Sequence, residues 1–131
     1  MIATIKTQMY DIIKNQLKYN ICDNPYGEEV NHFPYLLLTL QECRRECFRD
    51  VYSYTIRIKI DMFSNYNGEK EILDMEKNIF EAMQQLWEND FLTYFEEKSF
   101  RIIDDKSTSI VRKHGIVNYE FYCIGGTDDE S

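Results

Sequence analysis

Glycine is scarce in this sequence: there are 5 in 131 residues. None falls into the G-x-x-x-x-G-K or G-x-G-x-x-G spacing with which a backbone cradles phosphates, so a nucleotide site is not expected. Clustered cations are lacking too. Lys and Arg number 15 against 23 acidic residues, for a formal net charge of −8 and a pI near 4.7. Phosphate backbones and anionic bilayers are held by dense positive charge, so neither free nucleic acid nor membrane is an expected partner. No apolar run approaches the roughly 20 residues that span a bilayer. The opening MIATIKTQMYDIIKNQ alternates polar and apolar residues where a signal peptide needs an apolar core. The expectation is a protein that stays in the cell that makes it.

Cysteine is limited to Cys22, Cys43, Cys47 and Cys123. Zinc would have to take Cys43 and Cys47 with His32 or His114, and a Cys-x3-Cys pair without a second matched pair lacks the four-ligand pattern. Reduced thiols that pack as small apolar groups are expected, with no metal and no cofactor. Catalytic residues are equally sparse. Asp104 and Asp105 precede His114 by about ten residues across a presumed hairpin, and a base with an orienting acid can be drawn from them. No nucleophile motif accompanies them, and aspartates commonly make turns. A small hydrolase using these three residues is therefore the weaker reading, and no enzymatic activity is expected.

What the sequence has in quantity is aromatic surface, 10 Tyr and 8 Phe, a supply that serves a core or an interface. Its length suits one domain with one core, taken as 1–126, with the acidic 127–131 as a flexible tail. Ile2, Ile5, Met9, Ile12, Ile13 and Leu17 have the three-and-four spacing of one helical face. NICDNPYGEEVNHFP then collects turn formers into a long loop. Tyr35–Leu40 reads as a buried strand entered through Pro34. In VYSYTIRIKIDMF, Tyr52, Tyr54, Ile56, Ile58 and Ile60 alternate with Ser53, Thr55, Arg57 and Lys59, the period of a strand with one buried face. Between these, QECRRECFRD is either a polar connection or an extension of both strands.

From Glu69 to about Asn89 the helical period returns at Ile72, Met75, Ile79, Met83, Leu86 and Trp87, with Ser64 or Asn67 as the expected cap and Glu69 and Glu71 in the first turn. The charges Glu69, Lys70, Glu71, Glu76, Lys77 and Glu81 suit a solvated face or a docking surface. FLTYFEEKSF fits a helix extension or a connection. FRIIDD and STSIVR read as short strands, and GIVNYEFYCIG as a longer final one. The fold class is α+β: an antiparallel or mixed sheet with two main helices on one face.

Taken together, FPY at Phe33, Pro34 and Tyr35, the junction Phe63, Ser64 and Gly68 to Glu71, and Arg112, His114 and Gly115 before the last strand resemble the tail-terminator or tail-completion (head-tail joining) proteins of long-tailed bacteriophages. The resemblance runs from Ile2 to Tyr122, with Phe63 where the family often has tryptophan. It implies an α+β subunit that assembles into a ring, usually of six, without activity. The implied partners are other copies of itself, the major tail tube protein and the head-completion or connector protein. The implied location is the virion tail, with the host cytoplasm during assembly. In such a ring, outward-facing Arg57 and Lys59 are expected to meet a neighbour's Glu69, Glu71, Asp104 or Asp105. A monomeric regulatory module with one apolar groove is a third reading.

The cysteine spacing gives a direct test. Protein never exposed to zinc or affinity resin is expected to carry no metal by elemental analysis, and serine at both Cys43 and Cys47 is expected to leave assembly intact. One bound equivalent of zinc would refute the structural-thiol assignment.

Overall fold

The computed structural model describes residues 2–21, 33–84, 92–105 and 112–126. Cys22, His32, the body of the long loop, Leu86, Trp87 and the 127–131 tail lie outside the described residues, as do Ser107 to Val111 of the expected STSIVR strand. Helix α1 (Ile2–Asp11) passes into a single π-turn (Ile12–Gln16), in which the Leu17 N–H donates to the Ile12 carbonyl at 3.1 Å. Ile5, Met9, Ile12 and Ile13 are buried along its inner side. The helical run stops where Lys18 takes a φ of 60°, a left-handed conformation common just past a helix end. Asn20–Ile21, expected to be loop, forms a two-residue strand β1 that pairs in parallel with Tyr35 and Leu36.

Strand β2 (Tyr35–Phe48) and strand β3 (Val51–Ser64) form one long antiparallel hairpin, so QECRRECFRD extends both strands instead of connecting them. The turn is two residues, Arg49 at φ 50° and Asp50 at φ 68°. Positive φ at both central positions is the type I′ geometry whose twist matches the flanking strands. A bulge between Leu40 and Glu42 inserts one residue into β2. It turns Glu42 toward Arg57 and leaves Cys43 against the core, the re-aiming that an extra residue produces.

Helix α2 (Lys70–Met83) follows, with Glu69 at its N-cap and no side-chain capping bond. The expected caps are therefore corrected: the Ser64 hydroxyl accepts from the Tyr66 N–H at 3.2 Å, closing a local turn instead. Strands β4 (Leu92–Asp105) and β5 (Arg112–Gly126) complete a sheet of order β1-β2-β3-β5-β4, antiparallel except at β1–β2. Of FLTYFEEKSF, the described residues from Leu92 on thus belong to a strand. Its period of two is broken by register shifts at Leu92/Tyr94 and Glu97/Ser99. Phe95 therefore reaches the core in one phase, and Phe100 and Ile102 in the other.

The helices cover one sheet face. Met9 and Ile13 of the N-terminal helix, Ile72, Met75 and Ile79 of α2, Ile56, Ile58 and Ile60 of β3, and Val117, Tyr119 and Phe121 of β5 form a continuous buried cluster. The architecture is α+β, as the sequence pattern implies. Helix and sheet approach closely at Gly115, where a Cβ would lie 2.5 Å from Ile72 Cγ2 and 3.1 Å from Met62 Cε. Gly115→Ala is therefore expected to lower stability by about 1–3 kcal/mol through overpacking. Adding Ile72→Leu, which removes the obstructing methyl, should recover much of that loss in urea unfolding. Strictly additive losses would show that this contact is not the cause.

Candidate functional site

The face of the sheet away from the helices carries a charge network across its central strands. Arg57 Nε donates to Glu120 Oε2 at 2.8 Å, and Arg57 also donates to Glu42 Oε2 at 3.3 Å. The Tyr94 hydroxyl donates to Glu120 Oε1 at 2.5 Å and stacks on Tyr122. The three charges sit side by side because Glu42, Arg57 and Glu120 are register partners on β2, β3 and β5. Glu120 is buried, and the Tyr94 hydroxyl, with Arg57 behind it, holds its carboxyl below the usual range despite that burial. The same bond, followed by burial, pushes the Tyr94 phenol up to about 12. Arg57 faces outward as expected, but it is already engaged by carboxylates of its own chain.

Toward the other end of this face, Tyr35, Phe63 and His114 stack in a row across β2, β3 and β5, with centroids 4.7 and 4.4 Å apart. His114 Nε2 lies 2.7 Å from Asp61 Oδ1, and Lys59 Nζ lies 3.6 Å from Asp61 Oδ2. Asp61 is buried and went unnoticed in the sequence. The available signal was an acid in an otherwise cationic outward phase, at the end of Arg57, Lys59, Asp61.

The three residues of the hydrolase reading do not converge. Asp104 accepts from Lys113 Nζ at 2.6 Å and is the register partner of Lys113, whereas His114 is paired with Ile103. Side chains alternate along a strand, so Asp104 and His114 emerge on opposite faces. Asp105 pairs through its backbone with Arg112. Glu69 adds its field to that of Asp104 at Lys113, and both raise its pKa. Glu69 and Asp104 are thus brought together, whereas Glu71, two positions further on, lines the cavity at the start of α2.

On the helix side, the β4 bulge leaves Glu97 facing Glu76 of α2. Burial first, and then the Glu76 carboxyl, push Glu97 up to about 7. Among the described residues, Glu97 Oε1 and the hydroxyl of the wholly buried Tyr119, its register partner, have no hydrogen-bond partner. A cavity of 480 Å3 opens at the start of α2, walled by Tyr19, Pro34, Tyr66, Gly68 and Met75 and edged by Lys70, Glu71 and Asp74. Lys70 and Asp74 bond to each other at 2.8 Å, while Glu71 Oε1 is shielded from solvent and has no partner among the described residues. Neither His114 nor Asp104 lines this cavity. Among the described residues, no three His, Cys, Asp or Glu side chains form a group able to hold a metal. Cys43 is half-buried, Cys47 exposed and Cys123 buried, all as free thiols. Among those residues, no helix is long and apolar enough to cross a membrane.

The sequence matches no protein-family model and no curated protein. In fold, the chain is similar to a chain in the virion of a native gene transfer agent (GTA) particle, with a TM-score of 0.53 and 9% identity over 92% of each chain. A weaker likeness, at a TM-score of 0.47 and 15% identity, is to the bacteriophage SPP1 gp17 protein, over 98% of this chain and 95% of that one.

The Glu76–Glu97 pair makes stability depend on pH. Glu97 is raised from 4.5 to about 7 in the folded protein. The folded state therefore binds the extra proton, and stability falls as pH rises from about 4.5 through 7. Glu97→Gln is expected to unfold later than wild type in urea at pH 8, with the difference shrinking toward pH 5. Parallel pH profiles for the two proteins would refute this.

Proposed function

We propose that this protein is a structural assembly protein of a phage or prophage virion. In this reading its subunits form a ring of six that closes the head-proximal end of the tail tube and joins it to the head connector. The observation that carries the proposal is the fold held in common, over 92% of each chain, with a chain of a virion particle. It is joined to a resemblance of Phe33-Pro34-Tyr35, Ser64 and Arg112-x-His114-Gly115 to tail-terminator proteins, with Phe63 standing where that family often has tryptophan. The partners in this reading are other copies of the chain, the major tail tube protein and a head-completion or connector protein. The protein passes through the host cytoplasm before it enters the virion tail.

The site geometry is consistent with a role in binding. His114 is held by Asp61 and stacked under Phe63, and the carboxylate it needed as a catalytic partner faces the other way. The half-exposed Arg57 and the exposed charges beside it suit polar contact with other proteins, whereas the aromatic row of Tyr35 and Phe63 is buried and steadies the sheet beneath them. Among the charged residues proposed to meet a neighbour, Arg57, Lys59 and Asp104 are fixed by partners in their own subunit. They would present a preset pattern of charge, the kind that governs orientation and association rate more than affinity. Glu69 and Glu71 stand at the start of α2, beside the cavity.

Electron microscopy of the purified protein mixed with tail tubes, paired with sedimentation velocity, tests this reading. Rings on one end of the tubes are expected, even if the protein alone sediments as a monomer. Bare tube ends at every protein and salt concentration would refute it.

A further inference from the structure

We propose that the turn of the β2–β3 hairpin is a knob that enters the α2 cavity of a second copy of this chain, so that subunits join head to tail. This contact deepens the ring reading and rests on it. The knob is unusually apolar for a hairpin tip: Phe48 is 73% exposed and its cross-strand partner Val51 is 47% exposed. The Arg49 guanidinium lies over the Phe48 ring, 5.2 Å from its centroid. A phenyl ring and a cation are thus presented together on a two-residue turn that has little freedom left to lose on docking.

The hole has complementary chemistry. Its volume of 480 Å3 is within the roughly 300–1,000 Å3 of pockets that bury ligands larger than a phenyl ring and a guanidinium. Its walls include Tyr19, Pro34, Tyr66 and Met75, and at its edge the carboxylates of Glu71 and Asp74 outnumber the one cation, Lys70. An arginine arriving with an aromatic ring would bring the opposite charge to that edge. The tip sets Arg44, Arg45 and Arg49 against Glu46 and Asp50, three cations to two anions, in a chain whose net charge is −8.

Position decides whose hole the knob can enter. Pro34 precedes the first residue of β2 and Tyr66 follows the end of β3, whereas Phe48 and Val51 stand at the far ends of the same strands. Strands of 14 residues separate the two features by about 43 Å at 3.3 Å per residue. A knob cannot reach its own hole over that length. One knob and one hole on different surfaces make a heterologous contact, which closes into a ring when the rotation per step divides a full turn.

Two variants test the contact without touching the core. Phe48→Ser removes the knob, and Gly68→Trp fills the hole's rim, where an added Cβ meets nothing within 4 Å. Their urea unfolding is expected to match wild type within error. Sedimentation velocity with tail tubes should show half-maximal assembly shifted to at least about tenfold higher concentration for each variant alone. Mixed together they retain one intact knob and one intact hole, and so should form a 1:1 heterodimer and nothing larger. If wild type caps tubes and both variants do so equally well, the docking contact is wrong and the ring reading stands. Absence of the heterodimer while wild type assembles would count the same way. A wild type that never assembles, with or without tubes, overturns both.

Discussion

Strand β3 has no free edge, and the rest of the molecule is arranged around that fact. It pairs with β2 over Val51–Phe63 on one side and with β5 over Tyr52–Ser64 on the other. Its backbone polar groups are directed into the two ladders, which lets both of its faces be closed over it. One face carries Tyr54, Ile56, Ile58, Ile60 and Met62 into the helices. The other carries Arg57, Lys59, Asp61 and Phe63 into the ionic and aromatic rows of the outer surface. A one-residue slip would exchange the two sets, placing charges under the helices and isoleucines in water. Register in β3 therefore fixes both the core and the presented surface.

That dependence explains which parts could be read in advance. The alternation in β3 and the helical spacing of Ile5, Met9, Ile12 and Ile13 follow one uninterrupted period each, and both were legible. β4 was legible only in its second half, FRIIDD; its bulges put Phe95 and Phe100 out of phase, so its first half looks like a helix extension or a connection. The π-turn was hidden for a related reason, since one widened turn changes the spacing too little to disturb an apolar stripe. Charged candidates were partly legible. Arg57 and Lys59 do face outward, but their partners Glu120 and Asp61 come from positions whose proximity depends on strand order, which no local pattern encodes. The α2 cavity was invisible in the sequence, because Tyr19, Pro34 and Tyr66 meet only once β1, β2 and β3 have been assembled.

The outer network also shows how a strongly acidic chain keeps charges on a sheet that is partly closed to water. Glu120 is buried, and removing an ionised carboxylate from water is costly unless donors replace the lost solvent. Tyr94 and Arg57 provide those donors from strands on either side of β5. The network therefore ties three neighbouring strands by side chains as well as by backbone. It also sets the orientation of Arg57, the most prominent cation of this face.

The β2–β3 hairpin has a base whose side chains pack on the core, Cys43 and Tyr52 being the last of them, and an exposed arm that ends in the type I′ turn. The base is held in register by its buried side chains, whereas the arm can change length without disturbing them. Yet each residue added to both strands of the arm turns its tip over, because the pleat alternates. To keep Phe48 and Val51 on the same face, the arm must grow or shrink by two residues per strand, about 6.6 Å at a time. Its reach is quantised, and so is the set of distances at which relatives of this chain could engage a neighbour.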